Sequence, residues 1–133
     1  MRLLPAASLA DKVDTVVGMF FAGEKPTGSR DPFGLRRQAH GLVKILVDLP
    51  ALTGLSVRPT VGQVLFKSML DFAPLHGWPV EAREAMMAFL LERYRYVLEQ
   101  RGFDVRNVRA VAQPAVFAQL NPADALSRLE ALP

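Results

Sequence analysis

The chain has 133 residues, a mass of 14.7 kDa, no cysteine, and 16 basic against 13 acidic side chains. Its length predicts one domain, and a net charge of +3 excludes a protein that coats nucleic acid with its whole surface. The lack of cysteine excludes a disulfide framework and a thiolate metal site and is compatible with a reducing cytosol. No apolar run approaches the roughly 20 residues of a membrane span. We expect a cytoplasmic protein without a membrane partner.

Helical periodicity begins near the N-terminus. Apolar side chains recur every three or four residues over residues 6–21, which predicts an amphipathic helix. A loop rich in Gly, Pro and Ser is predicted over residues 22–30. Asp31 and Pro32 predict the start of a second helix, because a carboxylate can cap the free N–H groups and proline is tolerated at the first position. We expect this helix to end before Pro50.

The rest of the chain continues in the same helical period, and each segment opens with a capping residue or a proline. The first of these expected helices follows Thr60 and stops near Pro74 or Gly77, and the second runs from Pro79 to Arg101. The third covers residues 104–112, and the fourth begins at Pro122, with Asn121 as its cap. Residues 55–59 come nearest to a strand. We therefore expect one all-α module over residues 1–133, a bundle of five to six helices, with a helix–loop–helix over 1–49 and the remaining helices over 50–133.

Metal and acid–base chemistry has little support in the sequence. His40 and His76 lie on different predicted helices without the spacing of metal ligands, so we expect surface or capping histidines. Asp11 and Asp14 are three residues apart on the first helix and can share a cation, but no further ligand is near in sequence. We predict no catalytic residue and no metal site, and Asp11 is the residue to test if one exists.

The basic residues are concentrated in one segment. Residues 24–44 carry five basic and two acidic side chains, and this segment joins a Gly/Pro loop to a helix N-terminus. Backbone N–H groups there, together with Lys25, Arg30, Arg36 and Arg37, can hold phosphate oxygens. The alternative is a structural hairpin between two packed helices whose arginines are merely exposed. The residues alone leave these two interpretations equal.

Two other features also have two interpretations. Arg93, Arg95 and Arg101 lie on the predicted long helix and are expected mainly as a solvated face, with phosphate contact as the alternative. Trp78, in a Gly-Trp-Pro sequence, fits a corner plug between elements as well as it fits a stacking platform.

Residues 9–18, followed by Gly-Glu-Lys-Pro-Thr-Gly-Ser-Arg-Asp-Pro-Phe-Gly-Leu-Arg-Arg at 23–37, closely resemble the β subunit of the bacterial two-subunit glycyl-tRNA synthetase. The match runs without a gap from Leu9 to about Leu46, and residues 103–105 and 124–132 resemble the family more loosely. The resemblance implies an interior part of a longer β subunit, or a very reduced relative. In that family this region lies at the end of a part resembling HD phosphohydrolases and runs into a helical body.

The resemblance also implies a function. A β subunit of this family binds tRNA and supports aminoacylation of tRNA(Gly), whereas ATP and Mg are used in glycyl-adenylate formation by the separate α subunit. The implied partners are tRNA(Gly), the α subunit and other β-subunit domains, and no cofactor is expected in this chain. Lys25, Arg30, Arg36 and Arg37 are then the predicted tRNA contacts.

Two alternatives remain. In the first, the module docks other domains or the α subunit through its apolar faces and does not touch RNA. In the second, it is a residual HD-type metal phosphohydrolase centred on Asp11. This hydrolase would lack the earlier His and the His-Asp pair that hold metal with the equivalent aspartate in HD enzymes.

Overall fold

The computed structural model describes residues 3–54, 58–73 and 77–132. Over these ranges the chain forms six α-helices and two short 3-10 turns, with a single isolated β-bridge and no strand, which confirms the all-α expectation. The helices are α1 Leu3–Phe21, α2 Leu35–Thr53, α3 Val61–Phe72, α4 Val80–Gln100, α5 Val105–Val111 and α6 Pro122–Glu130, and the 3-10 turns are Pro32–Gly34 and Pro114–Gln119. Residues 55–57 of the strand-like stretch, Pro74 and His76 lie outside the described residues. Within the described part, no helix is long and apolar enough to cross a membrane.

Helix α2 lies at the centre of the bundle. It packs against α1, α4 and α6, while α3 packs mainly on α1 and on the second 3-10 turn. The predicted apolar stripes supply the core, since one face of each amphipathic helix must be removed from water. The largest contributions come from Val16, Val17 and Phe20 of α1, Leu35, Leu42 and Leu46 of α2, and Met86, Leu90, Tyr94 and Leu98 of α4.

Three predicted helix starts are confirmed by capping hydrogen bonds. The Gln63 backbone N–H donates to Thr60 Oγ1 at 3.1 Å, and the Gln63 side chain accepts from the Thr60 backbone N–H at 2.9 Å, which is a complete capping box. Asn121 accepts from the Asp124 N–H at 3.2 Å at the start of α6. Asp104 caps α5, and hydrogen bonds from Arg106, the backbone N–H first, lower the pKa of Asp104.

The predicted bounds of the second helix are wrong at both ends. Helix α2 begins at Leu35, after the Pro32–Gly34 turn, because Phe33 and Gly34 have φ angles of 58° and 62°, which a right-handed helix cannot contain. It continues through Pro50 to Thr53. Pro50 withdraws only its own N–H from the helix ladder, and the last turn is closed by the Gly54 N–H, which donates to the Pro50 carbonyl at 2.9 Å.

Trp78, Arg95 of α4 and Arg101 at the C-cap of α4 stabilise the bundle. Trp78 packs edge-on against Phe21 with ring centroids 5.1 Å apart, and its Nε1 donates to the Met69 carbonyl at 2.8 Å, so it is a corner plug. Arg101 forms two 2.7 Å hydrogen bonds to the Asp48 carboxylate of α2. Arg95 donates through two nitrogens to the Ala112 carbonyl. Arg95 is therefore half-buried and hydrogen-bonded within the fold, whereas Arg101 stays exposed, as expected, and is paired with Asp48.

Candidate nucleic-acid interface

The loop between α1 and α2 contains a closed turn. Thr27 and Arg30 exchange two backbone hydrogen bonds of 2.9 and 2.8 Å, with Gly28 at a φ of 54° between them. Positive φ is cheap for glycine and costly for other residues, so Gly28 permits this reversal. The turn holds the backbone in one conformation and leaves the side chains of Lys25 and Arg30 exposed.

Asp31 and Arg36 fasten this loop to the start of α2. Both Asp31 carboxylate oxygens accept from the Arg36 backbone N–H, at 3.2 and 3.3 Å, which satisfies one of the free donors of the helix. The Arg36 side chain turns back, and its Nη2 donates to the Gly28 carbonyl at 3.0 Å. The capping role predicted for Asp31 is thus present, although the helix starts later than predicted.

The four predicted cations therefore divide into two groups. Lys25, Arg30 and Arg37 are exposed, and none of them pairs with a carboxylate within the described residues. Arg36 is half-buried and its guanidinium is partly used by Gly28. The structure brings three free cations and one loop-positioning arginine to the same loop and helix start.

Phe33 lies among these cations and was not identified by sequence reasoning as more than part of a helix. Its side chain is 73% exposed, and its φ of 58° places a bulky residue in the left-handed region. This conformation costs roughly 1–2 kcal/mol for a residue with a Cβ. The protein thus holds a large aromatic ring in water, in a strained backbone, between Arg30 and Arg37.

A second basic cluster continues along α2 and onto α4. His40 packs against Tyr96 with ring centroids 6.1 Å apart, and the Arg93 guanidinium lies over the Tyr96 ring at 5.0 Å. Partial burial lowers the pKa of His40, and the positive charges of Lys44 and Arg93 lower this pKa further. Arg36, His40 and Lys44 recur every four residues, so the sequence indicates that they share one face of α2. The positions of Arg93 and Tyr96 beside them depend on how α4 packs against α2.

The first helix adds one more cation to this side of the molecule. The Lys12 side chain crosses α2 at Gly41, where a Cβ in place of the glycine hydrogen would lie 2.5 Å from Lys12 Cε. Gly41 therefore leaves room for the Lys12 stem. Gly41 stands between Arg37 and Lys44 in the sequence of α2, so the Lys12 side chain brings a cation of α1 to this part of α2.

Asp11 and Asp14, the acidic residues of α1, are both exposed. Asp14 accepts a 2.7 Å hydrogen bond from the Ser68 hydroxyl beside a cavity of about 270 Å³ that Asp71 also lines. Over residues 3–54, 58–73 and 77–132, no three His, Cys, Asp or Glu side chains are close enough to hold a metal ion.

An apolar groove lies on another side of the molecule. Helices α3 and α4 both pack on α1 and on the second 3-10 turn, and residues of both helices and of this turn line a space of about 880 Å³. Its floor and walls are mainly apolar, and charged side chains stand at its rim. The lining residues used below are Leu65, Phe66, Met69, Met87, Leu91 and Phe117.

Comparisons with known proteins all give one result. A family model described as "Glycyl-tRNA synthetase beta subunit" matches residues 5–113. Relatives named "Glycine--tRNA ligase beta subunit" include those of Aromatoleum aromaticum, 40% identical over 106 residues, and Acidithiobacillus ferrooxidans, 38% identical over 125 residues. The matches cover 80% and 94% of this chain but only 14% and 17% of the two relatives. The relative from Thermodesulfovibrio yellowstonii is 33% identical over 126 residues, which are 94% of this chain and 16% of that relative.

Proposed function

The chain belongs to the glycyl-tRNA synthetase β-subunit family, and from this premise we propose that it binds tRNA(Gly) and supports its aminoacylation without carrying the adenylation site. ATP, magnesium and glycyl-adenylate formation are assigned in this proposal to the α subunit. The chain spans about one sixth of the length of the relatives it matches, so it corresponds to one helical part of such a subunit.

One observation carries the RNA proposal. Lys25, Arg30 and Arg37 are exposed and have no carboxylate partner in the described parts of the chain, while Asp31 and Arg36 hold their backbone in place. Phosphate contacts supply most of the affinity of a protein for nucleic acid, and fixed backbone lowers the entropy lost on binding. A loop built only to connect two helices needs neither three unpaired cations nor a strained exposed Phe33.

Charge reversal of Arg37 tests this proposal. We expect Arg37→Glu to weaken binding of transcribed tRNA(Gly) by about tenfold and to reduce the slope of log K against log salt by about one, because one phosphate contact is lost. Filter binding at four salt concentrations measures both quantities. Arg37 is exposed, so far-ultraviolet circular dichroism should remain that of the unmodified chain.

Arg106→Glu is the matched control for Arg37→Glu. Arg106 has an almost fully exposed side chain on α5, where its Nε lies 3.5 Å from the exposed Asp104 carboxylate, and α5 packs on α4 and α6. The same change of two charge units there should alter tRNA affinity by less than about twofold. Equal weakening by both variants would mean that only net charge matters, and an unchanged salt slope for Arg37→Glu would contradict contact through the loop.

The apolar groove favours a second function, docking of a neighbouring part of the β subunit. Phe66 is 64% exposed on the groove wall. Exposed apolar patches of this kind mark interaction sites. We propose that an apolar helix from another β-subunit region lies between α3 and α4.

Phe66→Glu tests the docking proposal. The Acidithiobacillus ferrooxidans β subunit, with the matched region deleted, is mixed with this chain and the affinity is measured by biolayer interferometry. Phe66→Glu should weaken capture by several-fold, because a charge cannot enter an apolar groove unpaired. Leu52→Glu, at an exposed leucine of α2 outside the groove, should not. Unchanged capture by Phe66→Glu would refute docking at the groove.

A further inference from the structure

The cluster of His40, Lys44, Arg93 and Tyr96 is separate from the loop and has a composition of its own. Lys44 is exposed one turn after His40, and Arg93 and Tyr96 reach His40 from α4. Both charges that act on His40 are positive. Asp48, the acidic residue one turn beyond Lys44 on α2, is already bound by two hydrogen bonds to Arg101. Within the described residues, neither Lys44 nor Arg93 forms a salt bridge with a carboxylate.

Tyr96 is presented in an unusual way for a surface residue. It is 41% exposed, its ring is held by the Arg93 guanidinium at 5.0 Å, and His40 packs against it. Arg93 itself forms no salt bridge within the described residues, and its Nε is buried without a hydrogen-bond partner. A cation and an aromatic ring held together in this way combine phosphate attraction with a surface on which a base can stack.

We propose that this cluster is a second RNA contact, in which an unpaired base of the tRNA stacks on Tyr96 and the adjoining phosphate is held by Lys44 and Arg93. The inference rests on the proposed tRNA-binding function and adds, on α4, a second exposed aromatic side chain to the one, Phe33, that the loop presents. Proteins read unpaired nucleotides of RNA by stacking them on aromatic and arginine side chains. The Lys12 side chain lies against α2 at Gly41, which stands between Arg37 and Lys44 in the sequence, and adds a further cation near this helix.

The contact also makes RNA binding proton-linked. Lys44 lies on the same helix as His40, and Arg93 and Tyr96 reach it from α4. Partial burial and the charges of Lys44 and Arg93 lower the pKa of His40, so its imidazole is mainly neutral near pH 7 in the free chain. A phosphate placed between Lys44 and Arg93 cancels the repulsion that those cations exert on the imidazolium form. Binding should therefore raise the pKa of His40 and tighten as pH falls from 8 to 6.

Tyr96 variants test the inference on this full chain. Tyr96→Ala should weaken binding of tRNA(Gly) about tenfold and leave the slope of log K against log salt unchanged, whereas Tyr96→Phe keeps the ring and should bind like the unmodified chain. Lys44→Gln should lower the slope of log K against log salt by about one. A base-paired DNA duplex of equal length should show no effect of Tyr96→Ala, because its bases are not free to stack. The His40 pKa, followed by NMR of its ring protons, should rise on addition of tRNA, because the phosphate offsets the charges of Lys44 and Arg93.

The two proposals fail in different ways. If Arg37→Glu weakens tRNA binding but Tyr96→Ala and Lys44→Gln do not, the second contact is refuted and the loop remains. If the His40 pKa is unmoved by saturating tRNA, or duplex DNA responds equally to Tyr96→Ala, the stacking contact is also refuted. If neither Arg37→Glu nor the Tyr96 and Lys44 variants change binding, both proposals fall.

Discussion

Replacing Tyr94 by phenylalanine is expected to stabilise the chain by about 1–2 kcal/mol, measured as the free energy of unfolding in urea at pH 7. Tyr94 is 1% exposed in the centre of α4, and its hydroxyl oxygen is buried without a hydrogen-bond partner in the described structure. A hydroxyl removed from water without a partner costs roughly 1–3 kcal/mol. Phe keeps the ring and its packing on Phe117, whose centroid lies 5.9 Å away.

The surroundings of Tyr94 give no compensation for this cost. The void beside it measures only about 10 Å³ and is lined by apolar side chains such as Leu42, Leu46 and Phe117. An ordered water needs at least about this volume and two or more polar partners, which these side chains do not offer. Loss of the hydroxyl should therefore remove an unfavourable term and leave a very small additional cavity.

The gain from Tyr94→Phe should increase at alkaline pH. Burial raises the pKa of Tyr94 well above the ordinary tyrosine value of about 10, although the Arg128 charge acts in the opposite direction. Below pH 10 the tyrosine is protonated in both the folded and the unfolded chain, so its protonation adds no pH dependence. Above pH 10 the unfolded chain releases this proton while the folded chain retains it, and stability falls by about 1.4 kcal/mol per pH unit. Tyr94→Phe lacks this loss.

Tyr96→Phe, two residues further along α4, is the matched control. Its side chain is 41% exposed, so the free energy of unfolding should change by less than about 0.5 kcal/mol. Urea titrations at pH 7 and pH 10.5 measure both variants. A destabilised Tyr94→Phe chain would show that the hydroxyl has a favourable partner, and parallel pH profiles for Tyr94→Phe and the unmodified chain would show that Tyr94 ionises in the folded state.

Most of the fold was predictable because the helices follow simple local rules. The apolar period defines α1 and α4, and Thr60, Asp104 and Asn121 open helices as capping chemistry requires. The errors arose where local rules compete with tertiary structure. The left-handed Phe33 delays the start of α2, and Gly54 closes a last turn that Pro50 alone was expected to prevent. The Pro114–Gln119 turn is too short to show a period.

The candidate site was predictable only as a segment. The sequence identifies Lys25, Arg30, Arg36 and Arg37 by charge and glycine content, but it cannot show that Arg36 bonds to Gly28 while the other three are unpaired. That division depends on the turn that brings Gly28 back over α2. The cluster around Tyr96 was beyond prediction for a similar reason, because α4 and α2 meet there only through their packing in the core.

Removing the Asp31 carboxylate is expected to destabilise the chain by about 1–2 kcal/mol and to weaken tRNA binding. In Asp31→Ala the Arg36 backbone N–H loses its acceptor at the start of α2, a change of the size measured for helix caps. The loop also loses one of the two connections that hold it to the start of α2, and only the 3.0 Å hydrogen bond from Arg36 to the Gly28 carbonyl remains. Thermal unfolding and tRNA filter binding, carried out on the same preparation, measure the two effects.

The direction of the change in tRNA affinity distinguishes a structural role of the Asp31 carboxylate from an electrostatic one. Asp31→Ala deletes a negative charge beside the proposed phosphate contacts, so electrostatics alone predicts tighter binding of tRNA, whereas a disordered loop predicts weaker binding. Asp31→Asn separates the terms, because asparagine caps a helix about as well as aspartate but carries no charge. We expect Asn to retain the stability and to bind tRNA at least as well as Asp. If Ala also bound tRNA more tightly, Lys25, Arg30 and Arg37 would act by charge alone, and the fixed loop would have no role in recognition.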